Sequence, residues 1–170
     1  MMPHPAAVPA VDLLKDCAVE RTRRSGPGGQ HRNKVETAIV LTHRPTGIQA
    51  EASERRSQPE NLAVATFRLR VTLAVEWRLP VDLAADPSEL WRSRCVGQRI
   101  RVSTEHDDFP ALLAEALDVL AAVDWEIALA AEKLGCSASQ LGKFLQQESR
   151  AFGALNQQRQ LRGWRPLKPV

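Results

Sequence analysis

Short runs of apolar and β-branched residues in the first third of the chain predict strands. Residues 17–22 and 37–43 are two such runs, and residues 44–47 (Arg-Pro-Thr-Gly) follow the second. Proline presets φ at the first corner of a turn, and glycine takes the corner that needs a positive φ. We therefore predict that the chain returns over residues 48–52 as the second arm of a hairpin.

The apolar spacing changes to that of helices after this hairpin. Ser57 can cap a helix, and Glu60 three residues later completes a capping box. Apolar residues then continue at helical spacing to about Trp77. Further helices are predicted from residue 108 to about 120, over 125–134 with Gly135 as the C-cap, from a second capping box at Ser137, and over 149–161.

Between these helical regions the pattern is weaker. Residues 78–98 contain Pro80, Pro87 and Gly97 and are predicted to be irregular. Residues 99–103 alternate between polar and apolar, and could be a short strand that extends the sheet.

Together these elements predict an α+β fold in which a small mixed or antiparallel sheet packs on a helix, followed by a helical C-terminal extension. We expect a flexible tail at 1–10, a first domain at 11–105, the helical extension at 106–162 and a second tail at 163–170. Ala131, Gly135 and Leu141 have the spacing of a helix-turn-helix. An ordinary helical hairpin has the same spacing, so a binding role for this region stays open.

The composition narrows the class of protein. In 170 residues, 44% of them hydrophobic, no apolar run approaches the roughly 20 residues that span a membrane. The N-terminal residues lack the basic start and apolar core of a secretory signal. Three widely spaced cysteines are typical of reduced thiols. We therefore expect a cytoplasmic protein.

The net charge is only +3, but the basic residues are clustered. The clusters lie at residues 21–34, 55–56, 92–101 and 159–168. Clustered arginine and lysine favour RNA as a partner. Trp91 with Arg92, Arg94, Arg99 and Arg101 could form one RNA-binding surface; a structural tryptophan with solvated arginines explains the same residues equally well.

The most unusual segment is Ser25-Gly-Pro-Gly-Gly-Gln-His-Arg-Asn-Lys34. It lacks the Gly-Lys-Ser/Thr ending of a phosphate-binding loop and the glycine spacing of a dinucleotide fingerprint. The four histidines have no metal-ligand spacing, and there is no serine nucleophile elbow. We expect no metal and no cofactor.

A glycine-rich loop of this kind offers backbone N–H groups and the amide of Gln30. Glycine allows a close approach of the backbone to a substrate. A backbone N–H directed at developing negative charge is an oxyanion-type device. Gln30 cannot act as a base, so chemistry here would depend on positioning and electrostatics.

The segment Gly26-Pro-Gly-Gly-Gln-His-x-Asn33 resembles the Gly-Gly-Gln loop of class I peptide chain release factors. Other motifs of that family's catalytic domain follow in order, and the resemblance covers about residues 17–77. They are Thr37-Ala38, His43-x-Pro-Thr-Gly-Ile48, and Glu54-Arg-Arg-Ser-Gln58 with Asn61. Arg32 departs from this pattern, since the family usually has a small apolar residue there.

This resemblance implies hydrolysis of the ester between nascent peptide and tRNA on the large ribosomal subunit. It implies that the backbone amide of Gln30 stabilises the transition state, that its side chain admits water, and that Gly28 and Gly29 shape the approach. Gln30 is also a candidate for N5-methylation. The implied partners are the ribosome, large-subunit rRNA and peptidyl-tRNA. For RNA binding we select Arg23, Arg24, His31, Arg32, Asn33, Lys34, Arg55, Arg56 and Gln58.

Two departures from the decoding release factors shape the functional hypothesis. Only about 16 residues precede the first predicted strand, which we take as too few for a codon-reading domain. The chain therefore looks like the short relatives that rescue stalled ribosomes without reading a codon. Those relatives usually end in a long Lys/Arg-rich tail, whereas here the last basic residues are sparse. The helical extension could supply recruitment instead, through a protein partner.

Two alternatives remain at this point. The chain could be a ribosome- or RNA-binding factor that keeps the fold and does not hydrolyse. It could also be a nucleotide-binding enzyme that uses the glycines as a phosphate cradle, although no lysine follows in a strand–loop–helix context.

Overall fold

The computed structural model describes residues 2–23 and 37–169, and these fall into two units, Met1–Leu73 and Ala74–Val170. The sequence predicts a division near residue 105. In the structure, residues 78–104 belong to the second unit, where Arg78 pairs with Asp118 and Trp91 meets Phe144. Each unit has its own set of buried apolar residues.

The first unit is built on a three-stranded antiparallel sheet in the order β1-β2-β3. The strands are β1 (Cys17–Thr22), β2 (Ala38–His43) and β3 (Gln49–Ala52). Ile39 and Leu41 of the central strand are buried, which agrees with its apolar composition. Gly47 has a φ of +72° in the turn between β2 and β3, and the His43 N–H donates to the Ile48 carbonyl at 2.9 Å. The predicted hairpin is therefore confirmed.

A long helix, α2 (Gln58–Glu76), follows the sheet and is preceded along the chain by the short α1 (Ala10–Leu13). Ser57 begins α2 as predicted, since its Oγ accepts from the Glu60 N–H at 3.3 Å and donates to the Glu60 carboxylate at 2.8 Å. Ala65, Leu69 and Leu73 lie four residues apart along the helix and are fully buried. This stripe is the contribution of α2 to the core.

Part of the expected N-terminal tail is packed. His4 and Ala6 are buried, and the His4 Nδ1 accepts from the Ala6 N–H at 3.0 Å. The Ala6 carbonyl accepts from Nε of Arg70 in α2 at 3.0 Å. Arg70 is itself buried, so its guanidinium needs acceptors within the protein. The structure thus differs here from the expectation of a flexible segment over residues 1–10.

The second unit contains a helix and a strand, over residues 89–96, that the sequence pattern did not indicate, and a strand at residues 99–100 that it did. Residues 89–94 form helix α3 (Glu89–Arg94), whose N-cap Ser88 accepts from the Trp91 N–H at 3.0 Å. Strands β4 (Cys95–Val96) and β5 (Arg99–Ile100) then form a separate two-stranded sheet. The prediction of an irregular segment was wrong for these residues, and β5 does not extend the first sheet because it pairs locally with β4.

Four helices complete the second unit: α4 (Phe109–Ala122), α5 (Ile127–Lys133), α6 (Ala138–Gln146) and α7 (Ser149–Leu161). The rings of Trp91 and Phe109 each meet Phe144 edge-on, with centroids 5.9 and 5.7 Å apart. Leu134, Leu141 and Leu145 are buried. The helical extension predicted from residue 108 onward is confirmed.

The ends of these helices follow capping rules. After α5, Gly135 has a φ of +68°, and the Cys136 N–H donates to the Ala131 carbonyl, which is the Schellman pattern. After α4 the same pattern uses Asp124 and Trp125, both with positive φ. Because Trp125 is held in this turn, α5 begins at Ile127 rather than at residue 125.

Burial changes the titration of several groups. Burial raises the pKa of Asp118 to about 6, although Arg78 Nη1 lies 2.8 Å from its carboxylate. The three cysteines are free thiols, and burial raises the pKa of Cys136 to about 12. Such a thiol is unreactive near neutral pH, since the thiolate is the nucleophile.

His43 makes the β2–β3 turn sensitive to acid. Its ring is buried, and its Nδ1 lies 2.8 Å from the Thr46 hydroxyl, which accepts from the Ile48 N–H. Burial lowers the pKa of His43, an effect that Asp16 partly opposes. Because the folded pKa lies below the unfolded value of 6.5, His43 contributes stability above pH 6.5 that is lost as the pH falls below it.

We predict that this dependence disappears in the His43→Asn variant, whose side-chain oxygen can still accept from Thr46. Urea unfolding at pH 7 and pH 5 should show a smaller loss of unfolding free energy for the variant than for the wild type. An equal loss in both proteins would show that His43 does not contribute to acid sensitivity.

Candidate functional site

The glycine-rich segment is bounded by a strand pair. Thr22, the last residue of β1, lies opposite Ala38, the first residue of β2. Directly opposed residues of antiparallel strands have Cα atoms roughly 4.5–5.5 Å apart. The chain therefore leaves β1 and enters β2 at neighbouring positions of the same end of the sheet, which we call the loop base (Thr22, Arg23, Thr37 and Ala38).

The predicted site residues divide into two groups. Arg23, Arg55 and Arg56 are exposed, and Gln58 is half-buried in the first turn of α2. The other predicted site residues lie outside the described ranges: Arg24, Gly28, Gly29, Gln30, His31, Arg32, Asn33 and Lys34.

A buried amide links the loop base to the arginine segment before α2. Asn61 is 0% exposed, and its Nδ2 donates to the Thr37 carbonyl at 2.7 Å and to the Arg55 carbonyl at 3.1 Å. Its Oδ1 accepts from the Arg55 N–H at 2.9 Å. Both amide hydrogens and the carbonyl oxygen are therefore used, and Arg55 is held beside Thr37.

An ion pair braces the same segment from α2. Arg68 contacts the Glu54 carboxylate at 2.5 Å and donates to the Glu51 carbonyl at 2.9 Å. Backbone N–H groups of Glu54 and Ser53, together with the Arg68 guanidinium, lower the pKa of Glu54. The Glu54 carboxylate is thus ionised and paired with Arg68.

Arg55 and Arg56 of this segment differ from Arg68 in their ion pairing. Within the described residues, no carboxylate pairs with the side chain of Arg55 or Arg56. A guanidinium without a carboxylate partner can bind a phosphate through two parallel hydrogen bonds. Ser57 acts as the helix cap, as the sequence predicts.

No structural role was predicted for Asn61 from the sequence, although its position on the apolar stripe of α2 indicates one. It lies four residues before Ala65 and so begins the buried stripe of α2 that continues through Leu69 and Leu73. Asparagine is a poor helix former. A polar residue of this type on the core-facing stripe indicates a buried hydrogen-bonding task.

A model of the RF-1 domain matches residues 11–104, more than half of the chain. The chain belongs to the RF-1 domain family. The matched range contains the whole three-stranded sheet, the glycine-rich segment and α2, and it extends through the β4–β5 hairpin of the second unit.

Two curated relatives carry the name peptide chain release factor 1-like, mitochondrial, one from Rattus norvegicus and one from Mus musculus. Each is 38% identical over 73 residues, which is 43% of this chain and 20% of the relative. The matching part of the chain thus spans about a fifth of these relatives' length.

The described residues of this RF-1 domain protein contain no group of three or more His, Cys, Asp or Glu side chains that could hold a metal ion. None of the helices formed by residues 2–23 and 37–169 is both long and apolar enough to cross a membrane.

We predict that Asn61→Ala lowers the unfolding free energy of this RF-1 domain protein by about 3 kcal/mol or more. It removes three hydrogen bonds of a fully buried amide, to the Thr37 carbonyl and to both backbone groups of Arg55, at roughly 1 kcal/mol for each bond. Urea unfolding measures the loss, and hydrogen exchange should be faster at residues 53–58.

Asn156 provides a matched control in the second unit. Its amide likewise pairs with both backbone groups of one residue, Leu167, at 3.0 and 2.7 Å, but it is only half-buried. Water can replace these partners in Asn156→Ala, so the loss should be about 1 kcal/mol. A loss in Asn61→Ala no larger than in this control would contradict the assigned role of Asn61.

Proposed function

We propose that this protein hydrolyses the ester bond of peptidyl-tRNA on the large subunit of cytoplasmic ribosomes, without reading a codon, and so releases peptides from stalled ribosomes. Membership of the RF-1 domain family supports peptide release as the general function. The relatives' names, which describe them as peptide chain release factors, support it as well.

The observation that carries the proposal is the position of Gly28-Gly29-Gln30 within the family match. This tripeptide belongs to the stretch between β1 and β2, whose neighbouring ends the sheet and Asn61 hold at the loop base. A fixed base suits a segment that must present a backbone group to a substrate with little error, because small misplacements are costly in catalysis.

The proposed reaction needs no cofactor. A water molecule attacks the ester carbonyl carbon, and the carbonyl oxygen takes up the negative charge. The backbone N–H of Gln30 stabilises that oxyanion, while its side-chain amide orients the water. The bond to the ribose oxygen of the tRNA then breaks, this oxygen takes the proton that the attacking water gives up, and the new carboxylic acid loses its own proton to solvent. The products are a peptide with a free carboxylate and a tRNA with a free hydroxyl.

The basic residues beside the loop base have an electrostatic role in this proposal. Arg55 and Arg56 are exposed, and Arg55 is held next to Thr37 by Asn61. Contacts of these arginines with ribosomal RNA phosphates would position the loop base, as phosphate contacts set register and orientation in other nucleic-acid complexes. Arg23 lies at the loop base itself and belongs to the same proposed contact.

We predict that Gly29→Ala lowers the rate of peptide release by about a hundredfold, the order expected when one oxyanion donor is displaced. Gln30→Pro, which lacks the backbone N–H, should lower it at least as much. The measurement is single-turnover release of labelled peptide from stalled ribosome complexes.

Gly153→Ala is the matched control for the glycine substitution. Gly153 lies in α7, and an added Cβ would meet nothing within 4 Å. Release by this variant should equal that of the wild type. Equal release by the wild type and Gly29→Ala would contradict the proposed mechanism. If the wild type binds ribosomes but releases no peptide, the result would favour the non-hydrolytic alternative.

We also predict that release does not depend on the codon. Ribosome complexes with a stop codon, a sense codon or no codon in the decoding site should release peptide at rates within about twofold of one another, since a factor of two corresponds to only about 0.4 kcal/mol of transition-state energy. Release confined to stop-codon complexes would make the protein a decoding factor and would leave the hydrolytic part of the proposal intact.

A further inference from the structure

A short basic segment in the second unit is separate from the loop base. Residues 92–101 contain four arginines and no acidic residue. They form the end of α3, the β4–β5 hairpin and the residue that follows it. The sequence left two readings of this segment open, an RNA-binding surface or a structural tryptophan with solvated arginines.

The structure separates the members of this cluster. Trp91 is buried, and its Nε1 donates to the Leu134 carbonyl at 2.7 Å. Arg94 is engaged with the Asp108 carboxylate at 2.5 Å. Trp91 and Arg94 are therefore structural, and three arginines remain: Arg92, Arg99 and Arg101.

These three arginines are exposed and have no carboxylate partner among the described residues. By contrast, Arg78, Arg150 and Arg162 of the same unit each pair with an aspartate or glutamate. Arg92, Arg99 and Arg101 thus lie together in one stretch of ten residues.

Arg99 and Arg101 lie on the same face of the β4–β5 hairpin. Cys95 lies opposite Ile100, and both are half-buried, with the Cys95 thiol 3.6 Å from the Gly135 carbonyl. Because side chains alternate along a strand, Arg99 and Arg101 point to the opposite, outward face. The Arg101 N–H donates to the Arg94 carbonyl at 2.9 Å, so the pairing continues through that residue.

A tight turn joins the two strands of this hairpin. Gly97 and Gln98 have φ values of +56° and +61°, as in the two-residue turns that match the twist of paired strands. A backbone that is already paired has less freedom to lose on binding than a flexible tail.

From these observations we propose that the outward face of the β4–β5 hairpin, with Arg92, Arg99 and Arg101, binds the phosphate backbone of RNA. A planar guanidinium fits a phosphate through two hydrogen bonds. Three such groups, which have no carboxylate partner among the described residues, give the surface a local positive charge that a phosphate backbone complements. The residues of this surface belong to the second unit, and its proposed function does not depend on hydrolysis.

The test measures the salt dependence of RNA binding. Anisotropy of a labelled 20-nucleotide single-stranded RNA gives the association constant of the full chain from 50 to 200 mM salt. Each phosphate contact on a single strand contributes about 0.7 to the slope of log K against log salt. Arg99→Gln/Arg101→Gln should therefore reduce the slope by about 1.4, and Arg92→Gln by about 0.7.

Arg150→Gln/Arg162→Gln is the matched control. It removes the same net charge from the same unit, but from arginines that already pair with Glu148 and Asp124. Its slope should equal that of the wild type. Equal slopes for both double variants, or no measurable binding of this RNA by the wild type at 50 mM salt, would overturn the proposal.

Two further readouts identify the ligand and separate this proposal from the hydrolytic one. A labelled polyglutamate peptide that binds as tightly as RNA, with the same sensitivity to Arg99→Gln/Arg101→Gln, would assign the surface to an acidic protein and overturn RNA as the partner. Gly29→Ala should bind RNA with the slope of the wild type whether or not it releases peptide. The binding result therefore stands or falls independently of the release assay.

Discussion

The amide of Asn61 is the contact on which the arrangement of the candidate site depends. It is fully buried and bonds the Thr37 carbonyl and both backbone groups of Arg55 at 2.7 to 3.1 Å. No apolar side chain could satisfy these three groups, and a carboxylate would face two carbonyl oxygens without a hydrogen to donate. Secondary structure does not provide this link, since Thr37, Arg55 and Asn61 belong to three different parts of the chain.

Two groups of arginines can be distinguished, those paired with a carboxylate and those proposed to bind RNA. Arg68, Arg78, Arg94, Arg150 and Arg162 each engage a carboxylate and so contribute to the fold. Arg55, Arg56, Arg92, Arg99 and Arg101 are exposed, with no carboxylate partner among the described residues. The net charge of +3 does not show this division, because it counts paired and unpaired arginines alike.

Local patterns were sufficient where the deciding interactions are local. The β2–β3 hairpin depends on a turn whose glycine needs a positive φ, and the start of α2 depends on a hydrogen bond between Ser57 and Glu60. Helix α7 begins and ends where the periodicity and Gly163 place it. The family resemblance similarly depends on motifs that can be read in order along the chain, and the match over residues 11–104 confirms it.

The sequence by itself therefore determined the family, the main strands and helices, and the glycine-rich segment proposed to do chemistry. The tertiary structure decided which polar residues are structural, because that depends on partners distant in sequence. The sequence is compatible with Trp91 at the surface, and only its contacts with Leu134 and Phe144 show that it is structural. Residues 4–7 are likewise compatible with a tail, and only the hydrogen bond from Arg70 to the Ala6 carbonyl shows that they are packed. Hydrophobic and capping patterns are local in the chain, whereas burial and ion pairing are properties of the packed molecule.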